Sequence, residues 1–478
     1  MVRSKSRRAA RAILIAAVSV AAGCGDNIGR SPDGDDADAD AAPAGLSVRF
    51  DDPVSTQEYR RVIPILLVVD SPDAGLRETG IEINGVRKVL CSDIPIVANL
   101  HCGGDVGVWE SGLTAGPQVL RAFATDEAGH TATAEITVMV RPYIRPTWVF
   151  EAELGFEPPV ITPDLVLAPA DKLYALDRNV GRVRWSYDPD VGGPFDGVQG
   201  VVADDSHAYA VTARDREELL LSFDLRTGEI AWQVELPDVV YSRPVFDGDG
   251  HIVFANADGD LSAYTRTGAL AWQLDVDSRG SRIPAPQPVV GVDGTIYVTP
   301  AGYDRIVHVD PAGGLLGRFT TADVYHFALA VADDGRMVSS DDDGLRIYGR
   351  DGALARHVAT AGLVPGPARF GTGGRIFFAA EHVGAFVLDA DGAPVWNVPM
   401  PDLLRGTPFE APNGSIFIGA LGPDVTYQYD RDGHRLEEIP YCEEPEGYTA
   451  DGNLVVCTRH ARVYAIDLAD FPQPSPDD

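Results

Sequence analysis

The chain alternates apolar and polar residues in short runs, and turns rich in aspartate and glycine separate the runs. Residues 230–236 (IAWQVEL) are typical, with an apolar side chain at every second position. Alternation at period two is characteristic of half-buried β-strands. The 50 glycines and 35 prolines among 478 residues suit frequent turns between such strands. The pattern therefore predicts an all-β fold.

Residues 46–142 contain five such runs, which predict a small β-sandwich. The predicted strands are Leu46–Phe50, Val62–Val69, Gly80–Val86, Val119–Thr125 and Thr131–Val140. The last two are joined at Asp126–Gly129, a turn with aspartate and glycine where a hairpin needs them. This hairpin resembles the closing strands of bacterial immunoglobulin-like domains, with His130 in place of the usual asparagine. The resemblance implies an immunoglobulin-like sandwich that serves as a spacer or adhesive unit.

A repeat with a period near 40 residues occupies the chain from about Tyr143 onward. Each unit contains four short strands, and a turn glycine precedes the fourth. The glycine recurs at Gly181, Gly228, Gly268, Gly313, Gly352, Gly392 and Gly433. An eighth unit, Glu446–Asp470, lacks the fourth strand. Its place can be taken by residues 147–154, which repeat the fourth-strand pattern from the other end of the repeat region.

A tryptophan follows the turn glycine by four residues in the best units. These tryptophans are Trp185, Trp232, Trp272 and Trp396, and Trp148 matches them in the N-terminal strand. Residues 173–185 (LYALDRNVGRVRW) resemble the repeats of pyrroloquinoline-quinone-like (PQQ-like) propellers, in which the tryptophan packs between neighbouring blades. The resemblance implies an eight-bladed β-propeller over residues 143–471, with seven blades as the alternative. Gly317, Arg356 and Glu437 stand where tryptophan is expected, which predicts looser junctions there.

The N-terminus is typical of an exported lipoprotein. Residues 1–12 carry five positive charges and no acid, and the apolar run Ile13–Ala22 is too short to span a bilayer. Residues 21–24 (AAGC) resemble the bacterial lipobox, which implies cleavage after residue 23 and lipid on Cys24. Ordinary cleavage and an uncleaved anchor remain alternatives. Residues 24–45 predict a disordered acidic tether, and 472–478 a disordered tail.

The net charge and the cysteines indicate which partners are excluded and in which compartment the protein lies. The formal charge of −32 argues against nucleic acid as a partner. If Cys24 carries lipid, four cysteines remain in an oxidising compartment, and they allow three pairings. Proximity in sequence favours the pairs Cys91–Cys102 and Cys442–Cys457.

The chain lacks the motifs of common catalytic and cofactor sites. It contains no adjacent cysteine pair and no GxSxG, HExxH or GxxxxGK[ST] motif. PQQ-like propellers include quinoprotein dehydrogenases and non-enzymatic members such as the lipoprotein of the outer-membrane assembly machinery. The resemblance together with the missing motifs implies no enzyme, no bound quinone and no metal. Aspartate–glycine clusters at 247–250, 341–344 and 430–433 predict turns, with calcium loops as the alternative, and the glycine-rich stretch 371–374 predicts a turn as well.

The predicted binding site is the ring of loops that lead into the innermost strands. The candidate residues are Asp196, Arg243, Arg282, Tyr325, His326, Arg405 and Glu444. Together these features predict a monomeric, lipid-anchored protein of the cell envelope, at the outer membrane on its periplasmic or surface side. Its propeller would bind a protein partner or ligand without catalysis. The alternatives are an extracytoplasmic dehydrogenase or hydrolase with a site at the channel mouth, and a surface adhesin that binds polysaccharide or peptide.

Overall fold

The structure is a computed structural model, and its described part is built from β-strands. It describes residues 45–471 except 54–57, 60–61, 109–110, 154, 156, 190–196, 215–216, 241, 257–259, 277–286, 301–304, 322–327, 341–342, 363, 365, 367, 401–407, 421–424, 440, 443, 450 and 460. The predicted signal peptide, nearly all of the predicted tether and the predicted tail lie outside these residues. Two single-turn 3-10 helices, Thr372–Gly374 and Leu468–Asp470, accompany the strands. The all-β prediction is confirmed.

Eight strands form two sheets that share one hydrophobic core. The strands are β1 (Ser47–Asp52), β2 (Glu58–Tyr59), β3 (Val62–Ser71), β4 (Leu76–Ile83), β5 (Val86–Ile94), β6 (Val97–Gly107), β7 (Gly116–Asp126) and β8 (Thr131–Val140). One sheet has the order β1-β3-β6 and the other has β2-β8-β7-β4-β5. The pairing of β2 with β8 is parallel, and the other pairings are antiparallel. This part of the chain is therefore a two-sheet sandwich.

The hairpin of β7 and β8 forms where the sequence predicts it. Asp126 accepts a hydrogen bond from the backbone N–H of His130 at 2.7 Å, and its second oxygen lies 2.8 Å from the His130 ring. Gly129 supplies a φ of 89°. Val138 and Val140 are buried in the core of the sandwich. The local pattern thus places both the turn and the inward face correctly.

Strands β5 and β6 are absent from the prediction, although a predicted disulfide joins them. Cys91 of β5 is bonded to Cys102 of β6, which connects the two sheets. Most side chains of β5 are exposed, so the strand lacks the alternation that marks a half-buried strand. The cysteine pairing is confirmed, and β5 was missed because it lacks a buried face.

The repeat region contains eight four-stranded antiparallel sheets within the described residues. We number them sheets 1 to 8 in chain order, and the last incorporates β9 (Trp148–Glu151). The strands of sheets 1 to 4 are β10 (Val160–Ile161), β11 (Leu165–Pro169), β12 (Leu173–Asp177), β13 (Val183–Tyr187); β14 (Gly197–Ala203), β15 (His207–Arg214), β16 (Glu217–Asp224), β17 (Ile230–Leu236); β18 (Val245–Phe246), β19 (Ile252–Ala255), β20 (Leu261–Tyr264), β21 (Leu270–Leu274); β22 (Val289–Val290), β23 (Ile296–Val298), β24 (Arg305–Val309) and β25 (Leu315–Thr320).

Sheets 5 to 8 follow the same order. Their strands are β26 (Ala328–Val331), β27 (Met337–Ser340), β28 (Gly344–Tyr348), β29 (Leu354–Ala359); β30 (Arg369–Phe370), β31 (Ile376–Ala380), β32 (Gly384–Leu388), β33 (Pro394–Pro399); β34 (Phe409–Glu410), β35 (Ile416–Ala420), β36 (Val425–Tyr429), β37 (Arg435–Ile439); and β38 (Glu444–Tyr448), β39 (Leu454–Arg459), β40 (Arg462–Asp467). The middle two strands of each sheet are the most buried, as expected for sheets that stack on both faces.

The last sheet is completed by a strand from the N-terminal side of the repeat region. Strand β9 pairs antiparallel with β40, with Trp148 opposite Ala465 and Phe150 opposite Val463. Trp148, Leu454 and Val166 belong to one buried cluster, so sheet 8 packs against sheet 1. The predicted closure by residues 147–154 is confirmed over Trp148–Glu151, and it leaves no free outer edge on sheet 8.

Five tryptophans lie on a turn glycine of the next sheet. The pairs are Trp148 with Gly181, Trp185 with Gly228, Trp232 with Gly268, Trp272 with Gly313, and Trp396 with Gly433. Each indole Nε1 also donates a hydrogen bond of 2.7–2.9 Å to a backbone carbonyl of that turn. A Cβ on any of these glycines would lie 2.5–2.9 Å from the ring, and their φ angles are 65–87°. The glycines are therefore needed both for the turn and for the contact between sheets.

The junction between sheets 4 and 5 lacks a tryptophan and is filled by other side chains. At sheets 4 and 5, Phe319 covers the turn glycine Gly352, and His308 occupies the space beside Gly317. The rings of His308 and Phe319 stack with their centroids 4.4 Å apart. The prediction of a looser junction at residue 317 considered one position, whereas the packing also uses the neighbouring side chains of Phe319 and His308.

Arg356 and Glu437 stand at two further junctions that lack a tryptophan. These two junctions are packed by different side chains. Arg356 lays its aliphatic stem against the turn glycine of sheet 6. Sheets 7 and 8 share a core cluster that contains Tyr441, Phe471 and the second predicted disulfide, Cys442–Cys457. The pairing of these cysteines is confirmed.

The segment between the sandwich and sheet 8 contacts both. Tyr143 packs against the core clusters on either side, and its hydroxyl donates to the carbonyl of Leu113 at 2.7 Å. The hydroxyl of Tyr441 donates to the carbonyl of Ile144 at 2.8 Å. The connection is thus a packed element. In the part of the chain that is described, no helix is long and apolar enough to cross a membrane.

Candidate functional site

The candidate site lies where the first strands of the sheets meet. Strands β10 and β14 are in contact, as are β18 with β22, β22 with β26, and β26 with β30. Of the predicted binding residues, Arg243 and Glu444 belong to the described part of the chain. The remaining candidates, Asp196, Arg282, Tyr325, His326 and Arg405, lie outside the described residues, as does Cys24.

Four charged residues lie in or next to the first strands of three separate sheets, and we call them the central cluster. Arg243 immediately precedes the first strand of sheet 3, Arg369 begins that of sheet 6, and Glu444 and Glu446 lie in that of sheet 8. The charges of Arg243, Arg369 and Glu444 all act on the carboxyl of Glu446. The guanidinium of Arg369 donates to the backbone carbonyl of Glu446, so residues from sheets 6 and 8, which are not neighbours along the repeat, meet in the folded chain.

Glu446 occupies an irregular position in strand β38. The register with β39 shifts between Pro445 and Gly447, so Glu446 is the extra residue of a bulge. Its carboxylate accepts a hydrogen bond from the hydroxyl of Thr458 at 3.0 Å. Bulges commonly redirect a side chain near a functional site, and here the redirected side chain is an acid.

Burial sets the protonation behaviour of Glu446. It raises the pKa of the carboxyl from its usual value of 4.5 to about 7. The hydrogen bond from Thr458 and the positive charges of Arg243 and Arg369 lower this pKa, whereas the negative charge of Glu444 raises it. Near neutral pH the central cluster therefore contains an acid that can gain or lose a proton easily.

Arg369 lies beside Glu446 but does not form an ion pair with it. Its two terminal nitrogens donate long hydrogen bonds, of 3.4 and 3.3 Å, to the backbone carbonyl of Glu446. Its guanidinium also lies 5.8 Å from the ring centroid of Phe409. Burial lowers the pKa of Arg369, which reflects how poorly water reaches this cation.

Arg243 is the more exposed cation of the cluster. Its guanidinium lies 3.8 Å from a carboxylate oxygen of Glu157, at the outer limit of an ion pair, and half of its side chain is accessible. Its backbone N–H donates to the side-chain oxygen of Gln287 at 3.0 Å, which ties the loop of sheet 3 to sheet 4. The backbone is therefore positioned while the guanidinium remains available to solvent.

The sequence prediction found Arg243 and Glu444 and missed Arg369 and Glu446. It considered loops that enter the innermost strands, whereas the missed residues lie in the strands themselves. The available signal was a glutamate between Pro445 and Gly447, two residues that are unusual inside a strand. Nothing near Arg369 in the sequence marks it as a partner of residues 77 positions away.

The aspartate–glycine clusters form turns where they are described. Asp247 accepts hydrogen bonds from the backbone N–H groups of Asp249 and His251, and Asp430 does the same for Asp432 and His434. In the third cluster Asp343 pairs with Arg346 and His357, while residues 341–342 are outside the description. The stretch Gly371–Gly374 turns between the first two strands of sheet 6. Among the described residues, no three His, Cys, Asp or Glu side chains are arranged to hold a metal ion.

A family model and several solved structures are similar to this chain. Residues 145–283 match the family model described as outer membrane protein assembly factor BamB. The repeat region is a β-propeller. The structure of BamB from Moraxella catarrhalis covers 68% of this chain and 100% of its own, with 15% identity and a TM-score of 0.54.

Two further propellers have structures similar to this chain. The quinohemoprotein alcohol dehydrogenase ADHIIG from Pseudomonas putida HK5 covers 70% of this chain and 78% of its own, at 14% identity and a TM-score of 0.52. The Dos1 propeller covers 68% and 96%, at 12% identity and a TM-score of 0.55. No curated protein shows significant sequence similarity to the chain. At such low identities the structural likeness establishes the fold and leaves function to the residues of the site.

Proposed function

We propose that this protein is a lipid-anchored binding scaffold of the cell envelope whose propeller holds a protein partner without catalysing a reaction. The observation that carries the proposal is the contact between two non-adjacent sheets of the propeller, in which the guanidinium of Arg369 in sheet 6 donates to the backbone carbonyl of Glu446 in sheet 8. Polar groups that converge in a concave region are typical of binding sites. The match of residues 145–283 to the assembly-factor family supports a protein as the occupant.

The N-terminal sequence supports the location in the envelope. The basic segment, the apolar run and the lipobox-like residues before Cys24 together suit export followed by lipidation. Residues 24–45 would then be a solvated tether between the lipid and the folded domains, because they are acidic and almost free of large apolar residues. A lipid on Cys24 would hold the protein at a membrane surface.

The sandwich would act as a spacer of immunoglobulin-like type. Its three-stranded and five-stranded sheets, with β7 and β8 as neighbours, suit that assignment. The domain limits that we propose are 46–142 for the sandwich and 143–471 for the propeller. We propose that the protein acts as a monomer and needs neither quinone nor calcium.

The decisive experiment compares wild type with Cys24→Ser in intact cells. We expect the wild type in the membrane fraction and the variant in the soluble envelope fraction, while Cys91–Cys102 and Cys442–Cys457 still form in both. Crosslinking followed by identification of bound proteins should recover the same partner with each. A variant that stays on the membrane would disprove lipid anchoring, and a wild type that crosslinks to no protein would disprove the scaffold.

A further inference from the structure

Neighbouring sheets of the propeller are linked by a recurring ion pair at the end where their first strands finish. An arginine in the turn before the outer strand reaches an aspartate in the first turn of the preceding sheet. The pairs are Arg178 with Asp451 at 3.1 Å, Arg266 with Asp204 at 3.1 Å, and Arg350 with Asp293 at 3.2 Å. They join sheet 1 to sheet 8, sheet 3 to sheet 2, and sheet 5 to sheet 4. A guanidinium thus bridges each of these junctions.

The junction between sheets 1 and 2 has an arginine at the same place, but it forms no such ion pair within the described part of the chain. Arg226 lies in the turn before β17, as Arg266 lies in the turn before β21. Thr162 takes in sheet 1 the turn position that Asp204 takes in sheet 2, since the backbone N–H of each donates to a carbonyl three residues later at 2.9 Å. A hydroxyl carries no charge to attract a guanidinium. The bridge is therefore missing at this junction.

A cavity of about 650 Å³ lies at the same junction. Its volume falls in the range of roughly 300–1,000 Å³ that is usual for small-ligand sites. The lining residues come from the turns of sheets 1 and 2 and are Thr162, Pro163, Asp164, Leu165, Asp177, Asn179, Arg184, Asp205, Leu225 and Arg226. The cavity lies where the first strands end, whereas Arg243 and Glu444 of the central cluster lie where first strands begin. It is therefore a separate site.

Hydrogen bonds hold the walls of the cavity in place. In sheet 1 the backbone N–H of Arg178 donates to the carbonyl of Asp164 at 3.0 Å. In sheet 2 the backbone N–H of Leu225 donates to the carbonyl of Ser206 at 2.9 Å. The indole of Trp185 joins the two sheets by donating to the carbonyl of Leu225 at 2.8 Å. The cavity is thus formed before any ligand arrives, which lowers the entropic cost of binding.

The charges that line the cavity are of both signs. Asp177 and Arg184 form an ion pair with each other. Asp164 and Asp205 contribute two further carboxylates, and Arg226 contributes one further guanidinium, and all three residues are exposed. A complementary ligand carries two cationic groups and one carboxylate. The negative charge of the whole chain, −32, attracts such a ligand as well.

We propose that this cavity binds a short basic peptide through its C-terminal residue, or a free basic amino acid. Both sources offer an ammonium or guanidinium to Asp164 and Asp205, and a carboxylate to the planar fork of Arg226. Leu165 and Leu225 offer apolar surface to the aliphatic stem of a lysine or arginine side chain. The site goes beyond the scaffold function and does not depend on it.

Titration calorimetry on the full chain tests the site with matched probes. The probes are L-lysine and the tripeptide Gly-Gly-Lys. The controls are Gly-Gly-Lys-amide, which lacks the carboxylate, and Gly-Gly-norleucine, which lacks the side-chain ammonium. We expect saturable binding of at least one probe, and binding at least tenfold weaker for each control, since each lacks one charged contact. Tighter binding of lysine indicates a free amino acid as the natural ligand, and tighter binding of the tripeptide indicates a peptide.

Variants of the cavity separate the site from general electrostatics. Asp164→Asn, Asp205→Asn and Arg226→Gln should each weaken binding at least tenfold. Asp249→Asn is the matched control, because Asp249 is exposed in the first turn of sheet 3 and does not line the cavity. If Asp164→Asn fails to fold, as judged by circular dichroism, the variants at Asp205 and Arg226 decide.

A fourth variant restores the missing bridge. Asp204 uses one carboxylate oxygen for the N–H of His207, at 2.8 Å, and the other for Arg266. The hydroxyl of Thr162 accepts the corresponding turn N–H at 3.0 Å. Thr162→Asp should therefore keep the turn, engage Arg226 and remove the preference for Gly-Gly-Lys over its amide. An unchanged preference would show that Arg226 does not bind the carboxylate.

The outcomes keep the cavity and the scaffold apart. The proposed site is wrong if neither probe binds, if both controls bind as well as Gly-Gly-Lys, if binding survives the variants at Asp205 and Arg226, or if Asp249→Asn weakens it equally. A protein partner that crosslinks to a chain without peptide binding would leave the scaffold and overturn this site. Peptide binding by a chain that crosslinks to no protein would do the reverse.

Discussion

Single glycines determine how neighbouring sheets of the propeller meet. Gly228 combines a φ of 74° with an indole so close that a Cβ would lie 2.5 Å from it. Gly373 has a similar φ of 71° but nothing within 4 Å of a Cβ. The first glycine is needed for both conformation and space, and the second for conformation alone.

Alanine substitutions at these two glycines should therefore differ. We expect Gly373→Ala to lower the free energy of unfolding by about 1–2 kcal/mol, the cost of a left-handed alanine. Gly228→Ala should cost roughly 1–3 kcal/mol more, because the methyl group displaces Trp185. Equilibrium unfolding in guanidinium chloride measures both. Equal losses would show that the indole contact contributes nothing to the requirement for glycine.

The raised pKa of Glu446 predicts a specific dependence of stability on pH. An acid whose pKa is higher in the folded state destabilises the fold as pH rises from its unfolded value, 4.5, through its folded value, about 7. Glu446→Gln should thus be more stable than wild type at pH 8, by up to about 3 kcal/mol, and equal to it near pH 4. Glu444→Gln is the control: it should retain the titration but shift it to lower pH, since the charge of Glu444 raises the pKa of Glu446. Parallel pH–stability curves for wild type and Glu446→Gln would contradict this account.

The outer strands show how an element compensates for a missing residue. Opposite the tryptophans of sheets 1 to 3, the neighbouring strand has the small residues Ala175, Ser222 and Ala263. Opposite Gly317 it has His308, and burial lowers the pKa of this imidazole. In sheets 1 to 3 the large residue, a tryptophan, lies on the outer strand and the small residue lies opposite it. In sheet 4 the order is reversed, with Gly317 on the outer strand and His308 opposite it.

This exchange predicts non-additive substitutions in sheet 4. Gly317→Trp alone should destabilise the protein, because His308 already occupies the space. The double variant Gly317→Trp/His308→Ala should recover stability, with a coupling of about 1–3 kcal/mol. Chemical denaturation of the two single variants and the double variant measures the coupling. Strictly additive losses would mean that the two positions do not share the space.

At the level of the whole molecule, the connecting segment links the sandwich to the propeller. Tyr143 packs into both cores, and the backbone next to it is held by Tyr441. Such shared packing couples the unfolding of two bodies that would otherwise melt separately.

We expect the full chain to unfold in one calorimetric transition and Tyr143→Ala to split it into two. Tyr143→Phe, which keeps the ring and loses the hydrogen bond to Leu113, should behave nearly as wild type. Two resolved transitions already present in the wild type would show that the packed segment does not couple the domains.

Local features could be predicted from the sequence because they depend on residues that are close together along the chain. The strand pattern, the turns built on Asp126 and Asp247, the unit boundaries and both short-range disulfides follow from residues a few positions apart. Even closure of the last sheet could be predicted, since one copy of a repeated strand was missing at one end and present at the other. Strand β5 was not predicted because its side chains are largely exposed.

The central cluster required the tertiary structure. Arg369 and Glu446 belong to two different units, and the hydrogen bonds between them form only because non-adjacent sheets come together in the folded chain. The bulge at Glu446, and the exchange between His308 and Gly317, likewise depend on contacts across strands. A repeat pattern specifies each unit by its own alternation and turns, whereas burial and charge at the centre arise from all units together. The amino-acid pattern thus determines what each sheet is, and the closed propeller decides which charges share the site.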